Sequence, residues 1–232
     1  MTLALKILTS NSTRTVLDVL IPAYEKSTGN TVSVSADSAK AMVARIKAGE
    51  SGDIVILGTG AVKELAEAGI VSAASRRAFA RAVVGVGVRQ GTPHPDISTV
   101  DALRSTLLAA KSIAHTVHGA SGMYIPTLLE KLGIAGQMKA KTVTRPGGYI
   151  GTVVVAGEAE LALQQIPELL AVPGLEVVGP LPAAVQKTLE TSAGLYTQSS
   201  HTAAAEALIR FCMDPMHRAL FQAKGLEQAR ED

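Results

Sequence analysis

A chain of 232 residues, 47% hydrophobic and 18% charged, can bury roughly 70–75% of the surface its unfolded form exposes, and it is too apolar for disorder over most of its length. Its 22 basic and 20 acidic residues leave a net charge of +2 with no basic run to track a nucleic-acid backbone, and tryptophan is absent, so no nucleic-acid partner is expected. No apolar run reaches the roughly 18–20 residues of a membrane helix, so no membrane insertion is expected, and the single cysteine, Cys212 in ALIRFCMD, reads as a buried, inert thiol without an intrachain partner.

Strand-like and helix-length segments alternate along the chain. LALKIL (3–8), TVSVS (31–35), DIVIL (53–57), AVVGVGV (82–88), SIAHTV (112–117), KTVT (141–144), ELALQQ (160–165) and EVVG (176–179) read as strands. Segments 14–27, 38–48, 61–68, 99–110, 123–132 and 149–157 read as helices. This order predicts an α/β protein with mostly parallel sheets flanked by helices. Ser98-Thr99-Val100-Asp101 fits a capping box, and Asp214-Pro215 fits an N-cap with proline at the first helical position. Ile125, Leu128, Leu129 and Leu132 keep the spacing of one helix face, with Pro126 implying that the regular helix starts near Tyr124. Pro22 falls inside the first helix and is expected to kink it.

In open parallel sheets ligands lie beyond the carboxyl ends of the strands, where helices begin. The turns at those ends carry Ser10, Asn11 and Ser12; Ser38 and Lys40; Gly58 and Thr59; His118 and Ser121; and Arg145, Gly147 and Gly148. All are small, hydroxylated or glycine-containing, and two supply a cation. Helix N-termini present free N–H groups and a partial positive charge, so these turns suit an anion.

Other chemistries fit less well. Gly119-Ala120-Ser121-Gly122-Met123 has its second glycine one place too early for a nucleophile elbow, and Gly58-Thr59-Gly60 lacks the third glycine of a dinucleotide loop. His115 and His118 end a β-like run, where their odd separation points them to opposite faces, so no metal site is expected. His115 reads as tucked between sheet and helix; His118, at the strand end, is either a structural residue or an acid/base group. Gln164 and Gln165 close an otherwise apolar strand, where a buried amide must find a partner.

Taken in order, ILTSNSTRTVLDVLIPAYEKSTGNTV, VARIKAGESGDIVIL, GVGVRQG, GASGMYIPTLLEKLGI, GEAELALQQI and ALIRFCMDPMHRALFQAKGL resemble the type II periplasmic solute-binding proteins, and among them the molybdate-binding proteins, over some 220 residues. The resemblance implies two α/β lobes joined by two crossing strands, with the ligand cleft between them. Lobe one would be 1–84 with 194–232 and lobe two 85–193. It also places ligand contacts at Ser12, near Ser38 (with Ala39 and Lys40 as competing alignments), at Ser121, near Gly147 and at Gln165. Gln165 stands where the molybdate-binding proteins have a tyrosine, and Lys40 brings a cation, so a small organic carboxylate fits these positions better than molybdate.

Three functions remain open at this stage. The first is a solute-binding protein that encloses a small anion, needs no cofactor and, if exported, delivers to an ABC transporter permease. The second is an enzyme on the same fold, an isomerase or tautomerase of a small unsaturated carboxylic acid with His118 moving a proton. The third is the sensing domain of a regulator. The N-terminus MTLALKILTS runs directly into a strand, so the sequence as it stands is expected in the cytoplasm, or in the periplasm if a signal peptide has been removed.

Overall fold

The computed structural model describes residues 2–230. In chain order it runs β1 (Ala4–Ser10), α1 (Asn11–Thr28), β2 (Thr31–Asp37), α2 (Ala39–Lys47), β3 (Ile54–Gly58), α3 (Thr59–Glu67), β4 (Arg77–Arg89), α4 (Val100–Ala109), β5 (Ile113–Thr116) and α5 (Ile125–Lys131). It continues through α6 (Ala135–Met138), β6 (Thr142–Arg145), α7 (Gly151–Val155), β7 (Leu161–Gln165), α8 (Ile166–Leu170), β8 (Leu175–Pro180), β9 (Thr188–Leu195), α9 (Thr202–Met213), α10 (Arg218–Ala223) and β10 (Glu227–Gln228). The chain divides into two compact units, one of residues 1–81 with 190–232 and the other of residues 82–189.

In the discontinuous unit β1 pairs in parallel with β2 and β3, and β3 pairs antiparallel with β9. The first part of β4 takes β10 as an antiparallel partner. Ile54, Val55, Ile56 and Leu57 of β3 are all buried, the continuous apolar run expected of a strand covered on both faces. One covering layer joins Leu8, Val55 and Leu57 to Met42 and Ile46 of α2 and Val62 and Leu65 of α3. Helix α1 buries Val16, Leu17, Leu20, Ile21 and Tyr24, each worth roughly 1.5–3 kcal/mol for its apolar side chain. It ends at Gly29, whose φ of 75° permits the left-handed turn that sends its N–H to the Glu25 carbonyl. Helix α1 continues through Pro22 to Thr28. Pro22 lies on the exposed side, where water can satisfy the carbonyl that loses its donor.

In the continuous unit β5 lies between β6 and β7, parallel to both, and β7 and β8 each pair antiparallel with β4. Alternation splits β5 and β7 between two cores. Ile113, Leu161 and Leu163 face Leu103 and Leu107 of α4 and the predicted face of α5, where Ile125, Leu128 and Leu129, with Leu132 just beyond, are all buried. Ala114 and Ala162 face Ile150, Val153 and Val154 around α7 and Leu169 of α8. A Cβ on Gly85 of β4 would stand 2.8 Å from both the Gly179 carbonyl and Ile166, so glycine there lets β8 and α8 close onto the strand.

The boundary signals divide. Asp214 accepts from the Met216 N–H at 2.9 Å, with Pro215 at the first position of a short 3₁₀ turn leading into α10. The capping box is corrected: Thr99, not Ser98, caps α4, accepting from Ala102 N–H at 3.1 Å. With Thr99 as cap the box needs an acid at 102, and Asp101 falls one place early, so the reciprocal bond is lost. Cys212 is buried as expected, and burial pushes its thiol up to about 12. No helix among the described residues is long and apolar enough to cross a membrane.

Candidate functional site

Two banks of polar groups lie at carboxyl ends of parallel strands, one in each unit. In the discontinuous unit the strand order β2-β1-β3 puts three strand ends side by side, and each passes almost directly into a helix. Their N-caps are Ser38, Ser10 and Gly58; none makes a side-chain cap bond, and none of the three first turns holds an acid. The free N–H groups and the partial positive charge of α1 and α3 therefore meet no acid there, whereas at the start of α2 the Asp37 carboxylate accepts from Ser38 N–H at 2.7 Å.

The side chains there are hydroxyls. Ser10 Oγ lies 3.1 Å from Ser12 Oγ and 3.0 Å from Thr13 Oγ1, and Thr13 Oγ1 is 2.5 Å from Thr9 Oγ1, which donates to the Ile56 carbonyl. Thr59 Oγ1 meets Ser192 Oγ of β9 at 2.9 Å. Ser38 is buried and its hydroxyl has no partner among the described residues. Asn11 begins α1 beside Ser12, half-buried. Lys40 lies in the first turn of α2, exposed and without an ion pair among the described residues.

The second bank follows β5. His118 N–H donates to the Pro146 carbonyl and Val117 N–H to that of Arg145, tying the turn after β5 to the turn after β6. The next four N–H groups, those of Gly119, Ala120, Ser121 and Gly122, donate to no acceptor among the described residues, while the turn closes through Met123 and Tyr124 onto the carbonyls of Gly119 and Ser121. Thr116 Oγ1 and Ser121 Oγ are sealed from solvent and also unpartnered, on residues 1% and 0% exposed. A Cβ on Gly122 would collide with the Thr116 carbonyl, and one on Gly119 with the Thr116 hydroxyl, so both glycines are dictated by the tightness of the turn. Each buried donor or acceptor left unpaired costs about 1–3 kcal/mol. Four N–H groups and two hydroxyls with no acceptor on one turn form a cradle for oxygen atoms. As expected, regular helix begins only at Ile125, after Tyr124.

The remaining candidates have varied fates. Gln164 is fully engaged with the loop after β6, accepting from Ile150 N–H and donating to the Gly148 carbonyl, both at 2.8 Å. That fixes Gly148, at φ 84°, and its neighbour Gly147. Gln165, on the opposite face, donates through Nε2 to Glu168 at 3.1 Å, and its Oε1 has no partner among the described residues. The Arg145 guanidinium is taken by Glu158 and the Thr144 carbonyl.

His115 is buried: its Nδ1–H donates to the Thr116 carbonyl at 2.9 Å, and desolvation lowers its pKa, so the ring stays neutral with an unprotonated Nε2. His118 is half-buried and its ring has no partner among the described residues. Among the described residues no three of His, Cys, Asp or Glu cluster as metal ligands. Thr9 and Thr13 belong to the turn Thr9-Ser10-Asn11-Ser12-Thr13 that the sequence marks at the end of the first strand. Sequence reasoning missed Thr116, Glu168 and Ser192, which are revealed only by their surroundings.

A profile of the family described as bacterial extracellular solute-binding protein matches residues 5–227. The chain belongs to that family. It is also 35% identical over 229 residues to an aconitate isomerase of Pseudomonas sp., a match covering 96% of this chain and 87% of that protein. The fold is that of the periplasmic molybdate-binding protein of Azotobacter vinelandii, with a TM-score of 0.81 at 19% identity, covering 98% of this chain and all of that one. The sulfate-binding protein of Mycobacterium tuberculosis aligns with a TM-score of 0.77 at 19% identity, covering 97% and 86% of the two chains. Membership bears out the resemblance to type II solute-binding proteins, and the structural matches bear out the α/β fold with a mostly parallel sheet flanked by helices.

Proposed function

We propose that this protein is an isomerase of a small unsaturated polycarboxylate, aconitate in the first instance. The observation that carries the reading is the 35% identity to an aconitate isomerase, sustained over 229 residues. The site chemistry fits. Carboxylate oxygens suit the N–H groups of Gly119 to Gly122, the hydroxyls of Thr116 and Ser121, and the helix starts at Ser10, Asn11, Ser12, Ser38, Gly58 and Thr59. Lys40 adds a free cation. Arg145 contributes less directly, since Glu158 holds one edge of its fork.

Aconitate carries a methylene group and a vinylic C–H on either side of its central carbon. Removing one methylene proton gives an allylic carbanion whose charge spreads onto a conjugated carboxylate. Adding a proton at the former vinylic carbon moves the double bond by one place and exchanges the cis and trans forms. One proton leaves and one arrives, and no electrons are exchanged with any other group. His118 is the group that takes and returns the proton, and the unpaired donors of the 119–122 turn hold the carboxylate on which charge develops. Family membership favours export to the periplasm over the cytoplasm.

The test is to follow cis- and trans-aconitate spectroscopically with the purified protein. Wild type should equilibrate the two, and His118→Ala should lower kcat at least about 100-fold. A second reading, a carboxylate receptor without turnover that hands its ligand to a transporter permease, is favoured by the family's description as solute-binding. It predicts tight binding of one isomer and no interconversion.

A further inference from the structure

Glu168 is a wholly buried carboxyl whose one side-chain partner among the described residues is Gln165, and the far end of the Gln165 amide is unpartnered yet not sealed from solvent. We propose that Glu168 is a positioning residue that decides which end of the Gln165 amide, the NH₂ or the carbonyl oxygen, is presented to a carboxylate of the ligand. The proposal rests on the proposed function and on the placement of Gln165 among the ligand contacts that the family resemblance implies.

The argument turns on complementarity. An ionised Glu168 can only accept, so it must take the Gln165 NH₂ group, the arrangement in which Nε2 lies 3.1 Å from Glu168 Oε2. That turns Oε1 outward, and a carbonyl oxygen facing a carboxylate repels it. A protonated Glu168 can donate its O–H to Gln165 Oε1 instead. A half-turn of the amide, which has nearly the same shape either way, then presents two N–H donors outward. The same pair of side chains thus accepts or rejects a carboxylate according to one proton on a residue that never touches the ligand.

The surroundings favour the protonated form at neutral pH. Burial raises the Glu168 pKa from 4.5 to about 8, the Gln165 bond opposing it, and no charged group contributes. Helix α8 packs on β7, which has no titratable side chain, and on β8, whose Glu176 is engaged by His94 and by Gly91 N–H. Its contacts on β4 are through Gly85 and Gly87, and the one titratable residue of β4 within the continuous unit, Arg89, points to Gly157.

Calorimetric titration with trans-aconitate, whose carboxyl groups are ionised from pH 7 upward, reads this out directly. With a midpoint near pH 8, Kd should rise about tenfold between pH 7 and pH 9, and at pH 9 close to one proton should be taken up per ligand bound, measured in buffers of different ionisation enthalpy. Glu168→Gln, which can still donate to Gln165 Oε1, should bind at pH 7 like wild type and lose both the pH dependence and the proton uptake. If that variant does not fold, Gln165→Leu should bind weakly with a flat profile. A flat wild-type profile, or the wild-type profile retained in both variants, overturns the proposal. Binding of aconitate without interconversion removes the isomerase reading and leaves this proposal standing; no binding at pH 7 removes both.

Discussion

Thr116 and Ser121 hold hydroxyls that the fold neither exposes nor pairs, at about 1–3 kcal/mol each. Such a cost is offset when a bound ligand supplies the missing acceptor, so removing the hydroxyls should stabilise the free protein and weaken the complex. Thr116→Val and Ser121→Ala are therefore expected to raise Tm without ligand and to lower aconitate affinity about tenfold each, measured by thermal shift and titration. Gly122→Ala should do the opposite of repair: its methyl would meet the Thr116 carbonyl and cost about 1–3 kcal/mol. Ser121 and its glycines were legible because a small-residue turn stands out between an apolar strand and an apolar helix face. Thr116 was not, since a β-branched residue ending a strand looks like any strand former until its neighbours leave its hydroxyl without a partner. Glu168 was hidden for the same reason: an acid in the first turn of a helix reads as a solvated dipole partner, and only the enclosed packing around α8 makes it buried.

At the scale of elements, α1, α2 and α3 begin at neighbouring strand ends with no side-chain cap, whereas α4, away from those ends, is capped by Thr99. Caps contribute about 0.5–2 kcal/mol, so leaving α1 and α3 without a cap or an acid in the first turn concentrates positive potential at one edge. Placing a carboxylate there, as in Gly58→Asp, should stabilise α3 by roughly 0.3–1 kcal/mol and abolish anion binding by occupying that potential. A Cβ at this position has open space, its nearest neighbour being the Glu190 carbonyl at 3.9 Å, so the loss of binding would not come from misfolding. Thr99→Ala should cost about 1 kcal/mol and leave ligand binding unchanged. The three helix starts were anticipated from their serine and glycine turns. The register of Ser192 against Leu57, which brings it to Thr59, was not, because TLETSAGL mixes strand formers with small residues and lacks a clean period.

For the whole molecule, alternation of strands and helices predicted the parallel sheets because each βα step leaves its own local signature. The antiparallel partners β8, β9 and β10 return from distant parts of the chain, and β10 is only two residues long, so propensity alone does not specify their places. Two titratable groups shape the stability profile. Glu168 binds its proton more tightly folded than unfolded, so its contribution is lost as pH rises from about 4.5 to about 8. His115 is held neutral when folded, so it lowers stability as pH falls below its ordinary value of 6.5. Glu168→Gln should accordingly gain in unfolding free energy on wild type steadily between pH 5.5 and 8, by on the order of 1.4 kcal/mol per pH unit in denaturant titrations, and hold that gain above pH 8.

Isomerisation by a proton shift makes a demand that neither binding nor rotation about the double bond can meet: the methylene and vinylic carbons must exchange roles. The decisive measurement is NMR of trans-aconitate carrying ¹³C at its methylene carbon, incubated with the purified protein. Appearance of cis-aconitate with the label at the vinylic carbon is the predicted result. No cis isomer, or a cis isomer with the label still in its methylene group, would contradict the account.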